Sequence, residues 1–395
     1  MDIRYFYIFR LINIINFPNK NILLVTETPP GTPNGFGVTL KNLFEGIDCD
    51  VIYTDPSFRK YIENSDYLLA QCPHHRSKKS GILFYLGLIP EWRGKFSKVW
   101  LWFFLRKSYS TVYVFLYSAN VLKFASWISD CKKSRLVIHI ADHSPSFFYD
   151  NDFQSILKKA DKVACIGRNM REKYNKFFNR NFKVFHNLAD DSYLPLTSVK
   201  NVNFSYKNPF KILFIGSLFY DLHSGAIEDV CDAVVNLNQQ GYSIELHLYG
   251  QLFPLNFLSN HINGVSVFHH GIISAEERFR VMDEHHTFII PASFDADIAN
   301  QYCYSIPTKL PELLSSGRPT IVYGPKRMEA HRFCKEYECG ILISERSIES
   351  IKSKLIDLLK SYNTHNANAL DKANSVQPML AKSIQLPRFR NFILN

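Results

Sequence analysis

The chain has 395 residues, 46% of them apolar and 21% charged, which is too long for one ordinary globular core and suits two domains. Its 46 Lys and Arg against 36 Asp and Glu leave a formal charge of +10, favouring anionic partners, and no long low-complexity tract argues for disorder. Eight cysteines without a paired framework suit a reducing compartment, and Cys72-Pro-His74-His75 lacks the second ligand pair a metal site needs.

The opening residues, MDIRYFYIFRLINIINF, are apolar and aromatic but interrupted by Arg4 and Arg10 and closed by Pro18 and Lys20. They are short for a spanning helix and carry no small-residue cleavage site, so they read as an interfacial segment or a buried extension. From Asn21 the text changes. NILLVTET is a continuous apolar run, PPGTPNGFG a turn cluster, and VTLKNLFEGI has helical spacing. A strand buried on both faces reads this way, and a helix after a glycine loop is an anion site in waiting. The order repeats: strands DVIYTD and TVYVFLYS, helix ANVLKFASWISDCKKS, strand LVIHIAD, helix FQSILKKA, strand KVACIG, helix RNMREKYNKFF and strand FKVFHNL.

Residues 188 to 209 hold turn formers and no sustained period, so they read as a linker. The alternation then starts afresh with FKILFIGSL, EDVCDAVVNLNQQG, SIELHLYG, VSVFHHG, AEERFRVMDEHH, TFIIPAS, a helix through Leu314, PTIVYG and SIESIKSKLIDLLKS. The expectation is an α/β protein of two doubly wound units: residues 1–190, a linker at 191–209, a second unit at 210–375, and a helical tail at 376–395 packing back on the first. Open parallel sheets bind ligands at the carboxyl ends of their strands, so both units should present loops to a central cleft.

Three segments carry candidate chemistry. In YSIPTKLPELLSSGRPTIV, a turn-rich loop opens a helix with Thr308 and Lys309 in its first turn, Glu312 one turn on and Gly317 at its end. Free backbone N–H groups, the positive helix end and Lys309 suit a nucleotide diphosphate, and an ionised Glu312 suits two ribose hydroxyls. An ordinary capped helix with Glu312 in a solvated turn is the alternative. HIADHSP ends a strand and should turn His139, Asp142 and His143 to the cleft, where an imidazole can bond the transferred sugar and a carboxylate can orient an acceptor hydroxyl or take its proton; strand-end caps are the alternative. From Arg76 to Lys107, eight basic residues meet one acid, Glu91, among three of the four tryptophans. That mixture reads as an element facing an anionic membrane, or as a buried amphipathic helix.

The segment Tyr304–Gly317 resembles the donor-binding signature of the GT-B glycosyltransferases of family 4, the group 1 transferases, in which two glutamates eight positions apart hold the donor. Glu312 matches the second and Tyr304 stands at the first, as in the branch reading S-x-P-[ST]-K, which Ser305-Ile306-Pro307-Thr308-Lys309 fits. ILLVTETPPGTPNGFGVTLKNL is similar to the family's first strand and glycine loop, with Gly35, Phe36 and Gly37 at the phosphates or acceptor. ADKVACIGRNMREKY with FKVFHNLADD, and FKILFIGSL with Gly216, extend the likeness over about residues 21 to 360. Where the family places an Arg and then a Lys for the diphosphate, this chain has Ser217 and a stretch with His223 and Ser224; Lys309 is the candidate substitute, with Lys326 or Arg327 in reserve.

The resemblance implies transfer of a hexose-type residue from a nucleotide-diphosphate sugar to a glycan or lipid-linked acceptor, with retention, in cell-surface polysaccharide or glycolipid synthesis. It requires no cofactor and no metal, and places the protein in the cytoplasm or on the inner membrane face. A sugar-nucleotide epimerase and a non-catalytic sugar-binding scaffold are the other readings. Nucleic-acid binding has the charge but no motif behind it.

Overall fold

The computed structural model describes residues 21–32, 34–54, 69–71, 108–117, 119–191 and 208–395. The apolar N-terminus, the Cys72–His75 cluster, the basic 76–107 stretch and most of the linker lie outside the described residues.

In the first half, strands β1 (Ile22–Thr26), β2 (Cys49–Tyr53), β3 (Leu69–Gln71), β4 (Thr111–Leu116), β5 (Arg135–Ile140), β6 (Lys162–Cys165) and β7 (Lys183–Val184) form a parallel sheet in the order β3-β2-β1-β4-β5-β6-β7. Helices α1 (Gly35–Leu43), α2 (Ala119–Lys132), α3 (Asn151–Lys159) and α4 (Arg168–Phe178) accompany it. Alternate side chains of each strand reach opposite faces. Leu23, Val112, Val114 and Ile138 join the core under α2, α3 and α4, whereas Leu24, Tyr113 and Val137 join the core under α1. Two-sided burial is why these strands read as unbroken apolar runs.

The second half begins again with β8 (Phe210–Ile215), β9 (Leu218–Phe219), α5 (Tyr220–His223), α6 (Ala226–Gln239), β10 (Ile244–Tyr249), β11 (Leu252–Phe253) and β12 (Val267–Gly271). It continues through α7 (Ala275–Asp283), β13 (Thr287–Pro291), α8 (Ala296–Tyr302), α9 (Leu310–Ser315), β14 (Thr320–Tyr323), α10 (Glu329–Glu336), β15 (Ile341–Ile343) and α11 (Ile348–Lys360). The main sheet is parallel in the order β12-β10-β8-β13-β14-β15, and β9 pairs with β11 apart from it. Strand order reverses between β1 and β4 in one sheet and between β8 and β13 in the other, so each has a crevice at its carboxyl end there.

Two helices close the chain, α12 (Tyr362–Leu380) and α13 (Lys382–Leu394). Val376 and Leu380 of α12 join a second-half core, while Leu386, Phe389 and Ile393 of α13 join the core under α1. The two crossings between halves touch: Ala189 N–H donates to the Leu380 carbonyl at 2.9 Å and Lys382 N–H to the Ala189 carbonyl at 3.0 Å. Beside them Lys382 is paired with Glu45 and Asp190.

Candidate functional site

The donor-like segment follows β13 and α8. Its helix starts at Leu310, so Thr308 and Lys309 lie in the turn before it rather than in its first turn. Pro311 at the second helical position removes one of the N–H groups that would face a phosphate. Positive charge at this point therefore comes mainly from side chains. Arg278 Nη1 stands 3.4 Å from both carboxylate oxygens of Glu312, and Lys309 Nζ 3.6 Å from Oε2. Glu312 is only 3% exposed, so it is not the solvated glutamate of an ordinary first turn. Both pairs are longer than charge-assisted hydrogen bonds, which run to about 2.9 Å. Burial pushes the Lys309 ammonium below the usual lysine range, opposed by Glu312.

The first-half residues come from the carboxyl end of β5. Asp142 Oδ1 accepts from Ser305 Oγ at 2.9 Å, a bond across the cleft to the donor-like segment. Burial raises the Asp142 carboxyl above its ordinary range, partly offset by that bond. His143 shares a 2.9 Å hydrogen bond between Nδ1 and the Tyr174 hydroxyl, while Nε2 faces Lys173 Nζ at 3.4 Å. An ammonium only donates, so Nε2 is the acceptor and the proton belongs on Nδ1. Burial, and then Lys173, lower the His143 pKa to about 4, leaving a neutral imidazole. Lys173 also donates to the Tyr304 hydroxyl at 3.0 Å, and the Tyr304 ring lies over His143 with centroids 4.3 Å apart. Tyr304, Ser305, Asp142 and His143 thus meet in one cluster.

His139 does not join them. It stands on the β5 face opposite Leu136, Ile138 and Ile140, fully buried, with Nδ1 sharing a 2.6 Å bond with the Tyr113 hydroxyl, and burial lowers its pKa to about 3. It is a core histidine, because strand alternation turns it under α13 rather than toward the cleft.

The glycine loop also differs from expectation. Gly35 and Gly37 form the first turn of α1, capped by Asn34, whose side chain accepts from Gly37 N–H at 2.8 Å. A Cβ on Gly37 would lie 2.5 Å from the Thr32 carbonyl, and one on Gly35 would lie 2.7 Å from Thr308 Oγ1. Their smallness lets the loop close on itself and on Thr308. Asn187 Nδ2 donates to the Thr308 carbonyl at 2.7 Å, and Asn42 supports Asn187 at 3.1 Å. Phe36 stacks on Tyr117, centroids 4.5 Å apart, beyond β4 at the first crevice. Pro307 lies between these contacts and Ser305. At the second crevice Gly216 has φ +144, and a Cβ on the equally placed Gly250 would lie 1.8 Å from the Gly216 carbonyl; Ser217 beside it is exposed.

No family model matches the chain, and no curated protein matches it. Solved structures do. A glycosyltransferase from Rickettsia africae ESF-5 superposes with a TM-score of 0.68 at 11% identity over 95% of this chain and 100% of its own. Anabaena Alr3699/HepE in complex with UDP gives 0.66 at 13% identity over 94% and 98%. WaaG, a glycosyltransferase involved in lipopolysaccharide biosynthesis, gives 0.58 at 12% identity over 95% and 100%. The chain has the GT-B fold.

In this GT-B frame several side chains matter that the sequence did not single out. Arg278 reaches Glu312 from α7, and Lys173 and Tyr174 fix His143 from α4. Glu329 of α10 accepts from the N–H groups of Arg168 at 2.6 Å and Asn169 at 2.7 Å, capping α4 from the other domain. Around it Arg168 pairs with Glu336 and Arg332 with Glu172. The charge pattern of each helix is ordinary; only the packing of α4 on α10 pairs them. Among the described residues no group of three or more His, Cys, Asp or Glu is placed to hold a metal ion, and no helix is long and apolar enough to cross a membrane.

Proposed function

We propose that this protein transfers a sugar from a nucleoside-diphosphate sugar to a hydroxyl of a glycan or lipid-linked acceptor. The observation that carries the reading is the hydrogen bond from Ser305 to Asp142, which sets the donor-like segment of one GT-B domain against the strand-end cluster of the other. The glycosyltransferase neighbours, one of them holding UDP, support the donor class.

In this reading Glu312 accepts from the ribose hydroxyls, since its long contacts to Arg278 and Lys309 leave lone pairs to offer. Arg278 and Lys309 then balance the diphosphate, joined by the backbone N–H of Ser217, and so offset the Arg and Lys missing after β8. Asp142, with its raised pKa, orients the acceptor hydroxyl or takes its proton. Neutral His143, exchanging the long Lys173 contact at Nε2 for a sugar hydroxyl, bonds the transferred sugar, and Tyr304 fills the place of a sugar-reading carboxylate. Gly35, Phe36 and Gly37 border the acceptor side. The proposal extends to retention of configuration, to a reaction without metal, and to peripheral attachment through residues 76–107 on the cytoplasmic face.

Incubation of the purified protein with a panel of nucleoside-diphosphate sugars tests it. One donor should raise the melting temperature and be turned over, and Glu312→Ala should lower kcat/KM roughly 10- to 100-fold, the equivalent of losing charged hydrogen bonds of about 1.5–3 kcal/mol. Failure of every donor to bind removes the reading. An epimerised donor formed without acceptor replaces transfer by epimerisation.

A further inference from the structure

Where the chain crosses between the domains, an open cavity of about 270 Å³ lies behind the donor-like segment. Its rim includes Leu188 next to the first crossing and Met379 and Gln385 around the second, and Ile306 reaches it from the segment itself. Four cationic side chains face it: Arg168 and Arg171 from the first turn of α4, Lys183 from the edge strand β7 and Arg388 from α13. The one carboxylate in the wall is Glu329, already taken by two backbone N–H groups. Arg168 is shared with Glu336 and the Tyr337 hydroxyl and Arg388 with Gln385, whereas the side chains of Arg171 and Lys183 make no hydrogen bond or ion pair among the described residues.

Like charges gathered around a concave, partly desolvated space repel one another and concentrate an oppositely charged ligand. Guanidinium and ammonium groups together match phosphate oxygens, which accept bidentate bonds from Arg and point-charge contact from Lys. Phe182 and Phe333 give the cavity apolar walls. The donor segment's Glu312 with Arg278 and Lys309 belongs to a different set of side chains. We infer that this hinge cavity is a second anion site, taking a small phosphorylated molecule of the size of pyrophosphate or a sugar phosphate independently of the donor.

The test is a thermal-shift and calorimetric titration of the full chain with pyrophosphate, alone and with saturating UDP, for the native protein and for Lys183→Glu with Arg388→Glu. Both substituted residues are exposed, so folding should survive, and far-UV circular dichroism checks it. Pyrophosphate should stabilise the native protein, keep doing so when UDP is saturating, and bind the double variant at least about tenfold more weakly, because two attractive charges become repulsive. UDP binding to the variant should be unchanged. Loss of the pyrophosphate effect under saturating UDP would place the anion in the donor cleft and overturn the inference, as would undiminished binding to the variant or no binding to the native chain. If UDP itself does not bind, the donor proposal fails alone, and the comparison of native and variant protein in pyrophosphate still decides this one.

Discussion

Tyr304 ties the donor-like segment to the strand-end cluster through one side chain. Its phenol accepts from Lys173 and its ring covers His143. The covered His143 is half of a testable pair with its titration. Its pKa of about 4 in the folded chain lies below the ordinary value near 6.5. Between those values the unfolded chain binds a proton that the folded chain refuses, so His143 costs nothing above about pH 6.5 and lowers stability progressively as pH falls toward 4. Replacing it by Gln should make the decline of stability with acid shallower over that window, by up to one bound proton. Urea midpoints of both proteins at pH 7.5, 5.5 and 4.5 measure this, and parallel curves would count against it. The position of Asp142 and His143 at a strand end was legible in the sequence because they follow an apolar run. His139 was misread for want of one step of parity: it lies within the run, where alternation and the return of α13 decide its surroundings.

At the level of elements, the buried parallel strands were legible because burial on both faces leaves an unbroken apolar run. Helices α8 and α10 were not, since each is short and lies between stronger signals. The tail is helical as its lack of strand signals implies, and α12 and α13 run through Pro378 and Pro387, each of which removes one backbone donor. What no single-chain pattern could show is how α10 meets α4. Gly167 caps α4 without a side chain, so the helix end depends on Glu329 from the other domain. Burial raises the Glu329 carboxyl, and the two N–H donors oppose that shift. Glu329→Ala should leave those donors without acceptors in a buried place and cost about 1–3 kcal/mol. Glu329→Gln, keeping one carbonyl oxygen, should recover part of the loss. Chemical denaturation of the three proteins gives the comparison, and equal stability of all three would mean that water serves α4 as well as the carboxylate does.

For the whole molecule, the closing helix makes the first domain depend on the last residues of the chain. Phe389 is fully buried, its ring 5.6 Å from that of Phe44, 5.8 Å from Tyr113 and 5.2 Å from Phe185. The core under α1 is therefore completed only after the second domain has been traversed, which ties the geometry of the cleft to the hinge at Ala189 and Ala381. Phe389→Ala should cost about 3–5 kcal/mol, because a large ring is removed from a close-packed site that relaxes only in part. That loss should fall on the first domain. Trp127 packs against the first-domain core, so the fluorescence of a variant keeping it as the single tryptophan reports that domain, whereas far-UV circular dichroism reports both. In urea the fluorescence midpoint of Phe389→Ala should drop further than the circular-dichroism midpoint, leaving a second-domain transition near its native position. Equal displacement of the two signals would show instead that both domains unfold as one unit, and that α13 contributes to the molecule as a whole rather than to the core it completes.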